Sequence, residues 1–262
     1  MEQSITKQSK GIDGSSLKII AIAVMFIDHL AATVLEGHIL STYGSIYLYD
    51  MANMTRPAVL LYFAMRIIGR LGFPIFIFLM IEGFEHTRNR WKYLQRLAIF
   101  ALISEIPFDM AFNYRRLNFT SGKIFELTYQ NVFFTLAIGL FVLIIIKMIE
   151  EADLDKYLKI ILIAAIVIAG MVVAEVLRTD YSAFGVLAIV VMYLLRKNRT
   201  NAVIWTCVTL TFASVLEIAA LIVLLPISRY NGKRGLSMKY VFYAFYPVHL
   251  LLLRGVCMLL GI

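Results

Sequence analysis

The chain is poor in cysteine, in charge and in alternating patterns, and each shortage closes a class. Its two cysteines, Cys207 and Cys257, stand alone in apolar segments without CxxC spacing. That excludes a disulfide framework and offers no zinc site, so both read as packing residues and no metal is expected. Charged residues make up only 16% of the chain, against about a quarter in a soluble domain. None of the long apolar runs alternates with a two-residue period, which removes a membrane β-barrel. No internal repeat of the kind many transporters show is visible.

What is present is hydrophobicity. Hydrophobic residues are 61% of the sequence and the mean hydropathy is +0.81. Long uninterrupted apolar runs must satisfy their backbone internally in lipid, so the fold class expected is all-α, a polytopic transmembrane bundle of about eight to nine helices. Residues 1–262 read as a single transmembrane domain, with 1–16 a polar cytoplasmic N-terminal segment. Lys7 and Lys10 there, with Lys18 just beyond, resemble the start of a secretory signal. Cleavage would discard Asp28 and His29, and the first run is long enough to remain as an anchor.

Crossings are read at 17–35, 57–82, 94–113, 131–148 and 157–177, in a sixth ending at Leu195, and at 240–260. A loop is expected over 36–56, and Pro74 is expected to kink the second crossing. Basic loops, densest at HTRNRWKYLQR (His86 to Arg96), set the N-terminus in the cytoplasm, and Arg115, Arg116 and Lys123 offend that rule mildly. The net charge of +8 follows from the same topology and calls for no nucleic acid. The stretch 202–227 is ambiguous. As one crossing it puts RYNGKRG outside; as two half-helices turning near Glu217 it keeps that loop inside, and the broken form is preferred.

Asp28 and His29 sit side by side within the first run, where insertion scales put a charge at about 2.5–3.5 kcal/mol. Counting about 1.5 Å per residue from each run's midpoint places Asp28, His29, Arg66, Arg70, Glu105, Asp109 and His249 in one thin layer of the bilayer. Gathered there, they can pair. Arginine against carboxylate can simply pin helices together, whereas an imidazole beside such charges suits a base or a proton relay. Asp28 lies ~100° around the helix from His29 and is expected to orient an arginine rather than the imidazole.

At these residues a family pattern emerges. LKIIAIAVMFIDHL, RIIGRLGFPIFIFLMIEGFEHTRNRWKYLQRL, ISEIPFD, QNVFFTL, RTDYSAFGVL, RYNGKRG and FYPVHLLLL together resemble the TraX family of integral membrane proteins, named for a conjugation-system member that N-acetylates pilin. The first-helix histidine, FPIFIFLMIEGF and YPVHL resemble, more weakly, the acyltransferase-3 membrane enzymes. The resemblance implies a multi-pass protein of the bacterial cytoplasmic membrane that moves an acetyl group from acetyl-CoA to a peptide amine or a hydroxyl. It makes His29 the counterpart of the first-helix histidine, a base or an acyl carrier. Arg66 or Arg70 would then stabilise the oxyanion, and Glu82, His86, Asn131, Arg178 and Asp180 would contact substrate or support the site. CoA phosphates would fall to Arg88, Arg90, Lys92, Arg96 or the Asn231, Lys233, Arg234 loop, though positive-inside charge explains the 88–96 group equally well. Two other classes stay open: a proton-coupled small-molecule transporter and a non-catalytic assembly factor for surface filaments.

Overall fold

The computed structural model describes residues 11–44, 47–113, 128–237 and 239–262. Residues 1–10 and the basic residues Arg115, Arg116 and Lys123 lie outside it. The described residues are helical throughout, apart from turns and two isolated bridges. Five helical stretches, 14–43, 57–86, 132–151, 156–176 and 240–259, are long and apolar enough to cross a membrane. The chain is therefore a helical membrane protein, as its composition implies.

Helix α1 (Gly14–Leu30) starts at Asp13, whose carboxylate accepts the Ser16 amide at 2.8 Å. That amide and the Ser15 hydroxyl hold the Asp13 carboxyl below its ordinary range. The helix does not stop at residue 35. It passes through a π-helical turn, Ala31–Leu35, into α2 (Glu36–Tyr43). The loop expected over 36–56 thus begins only at Gly44, because Ile39 keeps the helix packed on Leu48 and Val59.

The second crossing is two helices, α3 (Pro57–Gly69) and α4 (Gly72–His86). The break falls at Arg70 and Leu71 rather than at Pro74 itself. Proline 74 has no N–H to give the carbonyl four residues back, so the interruption appears one turn earlier, at Arg70. Helix α5 (Arg90–Phe112) keeps Pro107 inside it, α6 (Val132–Glu151) is capped by Asn131, and α7 (Lys156–Val176) by Asp155. Helix α8 (Ser182–Leu194) is short.

The stretch over 202–227 is broken, as preferred above. Helix α9 (Arg199–Thr211) turns back near 212–214, ahead of Glu217, and returns as a 3-10 segment, Val215–Val223, and α10 (Leu224–Ser228). Thirteen residues at about 1.5 Å each are too short to span the hydrocarbon. Both ends of the pair share one face: Arg199 Nη1 donates to the Tyr230 carbonyl at 2.7 Å. The loop after α10 meets the start of α1, where Ile12 N–H donates to Arg229 O and Asn231 N–H to Ile12 O. Gly235, at φ +68°, lets that loop close over Asp13 and Ser15, where a Cβ would collide.

Helix α11 (Lys239–Leu259) completes the bundle, packing on α5 and α1. The core centres on α4, α6 and α8, while α7 turns most of its apolar surface outward, as a lipid-facing helix does. Cys207 and Cys257 are buried free thiols.

Candidate functional site

Asp28 and His29 leave α1 in different directions. Asp28 accepts Arg66 Nη1 at 2.7 Å and Arg70 Nη2 at 2.9 Å. Arg70 also gives Nη1 to Glu217 Oε1 at 2.8 Å and Nε to the Arg66 carbonyl at 3.2 Å. Two guanidiniums and two carboxylates so cancel in the dry interior, which is what makes their burial tolerable. Gly69 permits it, because a Cβ there would collide with the Asp28 side chain. The second oxygen of Glu217, a residue 1% exposed, has no hydrogen-bond partner among the described residues.

His29 meets a different neighbour. Its Nδ1 lies 2.7 Å from His249 Nε2, and His249 Nδ1 lies 2.7 Å from the Phe245 carbonyl of its own helix. His249 is buried, whereas His29 is half-buried and no described residue hydrogen-bonds its Nε2. Phe112 and Tyr246 stand edge-on to the His29 ring, with centroids 5.3 and 5.9 Å away. Arg66 and Arg70 lie within electrostatic range of it.

Glu105 and Asp109 belong to a third group. Glu105 Oε2 takes Asn131 Nδ2 at 2.5 Å and the Asn131 backbone N–H at 3.3 Å, so the carboxylate sits on the positive end of α6. Asp109 accepts Asn113 Nδ2 at 2.9 Å. The 178–182 turn closes this end of the bundle. Tyr129 donates to Asp180 Oδ1 at 2.6 Å, and Thr135 donates to the Asp180 carbonyl. Arg178, Tyr181 and Ser182 are left-handed there, at φ 52°, 62° and 47°. Such conformations cost free energy and persist only when neighbours dictate them. Tyr181, stacked 3.9 Å from Phe73, is one such constraint. Asp180 and Tyr181 lie within electrostatic range of Arg70 and Asp28. The Arg178 side chain is exposed, and its backbone is engaged instead: its carbonyl accepts the Gln130 N–H and its N–H donates to the Glu175 carbonyl.

The face that carries the start of α1 holds a cavity of about 620 Å³. Lys18, Arg96 and Arg234 line it, as do Glu82 and His86, and its apolar wall includes Phe133 and Leu136. Phe133 stands edge-on to Tyr246 at 5.1 Å, and Tyr246 is edge-on to both histidines. One aromatic layer therefore separates the cavity from the histidine pair. Of the expected phosphate ligands, Arg96 and Arg234 line this cavity and the others do not. Arg88 is exposed and Arg90 lies over the Phe84 ring at 4.8 Å. Neither lines the cavity, because Arg90 and Arg96 point ~120° apart around α5. Lys233 is exposed and Asn231 is spent on Gly11 O and the Lys233 amide, so of that loop Gly232 and Arg234 line it.

The layer expected from helix depths is thus three linked groups rather than one pocket. Sequence reasoning missed Glu217 as the closing partner of Arg70, although a lone carboxylate in the apolar 202–227 stretch was a usable signal. It also missed Tyr246 and Lys18, which look like ordinary aromatic and flanking residues in the sequence.

Broken helices around paired buried charges and a coupled histidine pair define a polytopic membrane protein with a polar site in its interior. The chain belongs to the TraX family, whose description, TraX protein, matches residues 13–257. It is also 32% identical over 273 residues to a Dichelobacter nodosus protein named probable fimbrial assembly protein FimC, serogroup H1, with 96% of this chain and 99% of that one covered. No solved structure matches it.

Proposed function

We propose that this chain is a membrane-embedded acyltransferase that moves a short acyl group, acetyl in the first instance, from acyl-CoA to an amine or hydroxyl. The observation that carries the reading is His29: a half-buried imidazole, fixed through Nδ1, whose Nε2 is left without a partner among the described residues. A structural histidine in an apolar interior uses both nitrogens; a base needs one free.

In this reading the acceptor N–H or O–H gives its proton to His29 Nε2 as its heteroatom attacks the thioester carbon. The tetrahedral intermediate then expels CoA thiolate, which takes the proton back from His29. The Nε and Nη2 groups of Arg66, uncommitted among the described residues, supply N–H donors for the oxyanion. Arg70, spent on Asp28 and Glu217, orders the helices instead. Lys18, Arg96 and Arg234 support a CoA-phosphate site in the cavity, facing the cytoplasm by the positive-inside rule. The acyl end reaches His29 when the Phe133 and Tyr246 layer parts. The relative's name, a fimbrial assembly protein, supports a surface-filament subunit as acceptor.

A second reading, a proton-coupled transporter, draws on the Glu217 oxygen in the broken helix pair that has no hydrogen-bond partner among the described residues. Purified protein in nanodiscs, given radiolabelled acetyl-CoA and an acceptor peptide, separates the two. Labelled peptide that disappears in His29→Ala supports the transferase, and labelled protein without peptide points to an acyl-imidazole on the same nitrogen. Absence of any label, with pH-driven solute uptake in vesicles, would replace the reading with the transporter.

A further inference from the structure

The two imidazoles leave one arrangement of protons. The Phe245 carbonyl can only accept, so His249 Nδ1, 2.7 Å away, carries a hydrogen. A neutral His249 then has its lone pair on Nε2, and His29 Nδ1 must be the donor to it. The ring planes are 7° apart with centroids 5.0 Å apart. That separation matches a 2.7 Å bond joining the rings edge to edge, so the hydrogen bond runs in both planes.

We infer that His249 is a positioning residue: it holds His29 in the Nδ1–H tautomer and turns the lone pair of Nε2 outward. The inference rests on the reading of His29 as the base. A free histidine side chain in water favours the proton on Nε2, which would present a hydrogen to the acceptor where a lone pair is needed. The usual orienter of a base histidine is a carboxylate, but both oxygens of Asp28 are taken by Arg66 and Arg70. A second imidazole, itself fixed by a main-chain carbonyl, performs that task here. The arrangement is no proton wire, because the Phe245 carbonyl at its end cannot take a proton onward. The proton received by His29 stays on that ring until the leaving group claims it.

Two variants test this. In His249→Gln the amide carbonyl can accept from His29 Nδ1 while the NH₂ group faces the Phe245 carbonyl; in His249→Leu neither bond exists. Nitrogen-15 spectra of histidine-labelled protein in nanodiscs, assigned with His29→Gln, read the tautomer without reference to activity. The expected result is a protonated Nδ1 and bare Nε2 at His29 in wild type and His249→Gln, reverting towards Nε2–H in His249→Leu. Acyl transfer should fall about 10²–10⁴-fold in kcat for the Leu variant, with KM for acyl-CoA unchanged, and be largely retained by Gln. A wild-type His29 protonated on Nε2, or an unaltered His29 spectrum in the Leu variant, overturns the inference. So does a Gln variant as slow as Leu whose His29 spectrum stays wild-type, since the tautomer would then not be what His249 contributes. If the Leu protein does not fold, the Gln spectrum decides, and Nε2–H there overturns it. Spectra as expected with no acyl transfer by wild type would sink the transferase reading and leave the tautomer lock standing.

Discussion

Asp28 and His29 are adjacent in sequence, share one helix turn and are solved by the fold in opposite ways. Asp28 is saturated: each oxygen holds an arginine, and Arg70 carries the network on to Glu217. His29 is left half-satisfied, one nitrogen engaged by a neutral ring and the other open among the described residues. A buried ion pair must be complete, because an unpaired charge in hydrocarbon costs several kcal/mol. A neutral imidazole can leave one nitrogen uncommitted at far smaller cost. The charged residue therefore builds the frame, and its neighbour is the one that keeps a nitrogen uncommitted among the described residues.

The widest way to break this comparison is His29→Gln, expected to lower acyl transfer about 10²–10⁴-fold while the unfolding midpoint in detergent stays near wild type. Equal loss of stability would place His29 in the frame beside Asp28. Arg70→Met should do the reverse. Stripping Asp28 and Glu217 of a shared cation is expected to destabilise the fold by about 3–5 kcal/mol, measured by thermal unfolding. Adding Glu217→Leu should recover part of that, since it removes one of the orphaned charges. Gly69→Ala sharpens the comparison by disturbing Asp28 alone; the Cβ collision should cost about 1–3 kcal/mol, read as a lower unfolding midpoint.

The smallest expected effect lies outside the bilayer, at Asp13. Its pKa is lowered in the folded chain, so its contribution is present at neutral pH and is lost as pH falls through that lowered value. Asp13→Asn at neutral pH should therefore mimic acid in the wild type. The check is faster amide exchange at Ile12 and Gly14, whose N–H groups donate to the Arg229 and Lys233 carbonyls.

Much of this was legible from residue types. Apolar runs located most of the crossings, because lipid demands long internally bonded helices, and the basic loop after 202–227 tipped an ambiguous stretch towards the broken pair that the structure shows. Counting depth put Asp28, Arg66 and Arg70 at one level, and they meet. The same count placed Glu105 and Asp109 there too, yet Glu105 turned to Asn131 and the start of α6. Depth fixes height along a helix and says nothing of which neighbour stands at that height. Arg88 and Arg90, expected at a phosphate site, lie off the cavity for a related reason: charge density marks a face of the membrane, while the rotation of α5 decides which side chains line the hollow.

The sequence by itself determined that this chain lives in a membrane, that its polar residues had to be drawn together, and that His29 lay among them, since each follows from the cost of polarity in hydrocarbon. Only the tertiary structure decided the pairings: Glu217 for Arg70, Asn131 for Glu105, and His249 for His29. Those choices depend on azimuth and packing between helices far apart in the chain, and hydropathy, a property of each residue alone, does not record them.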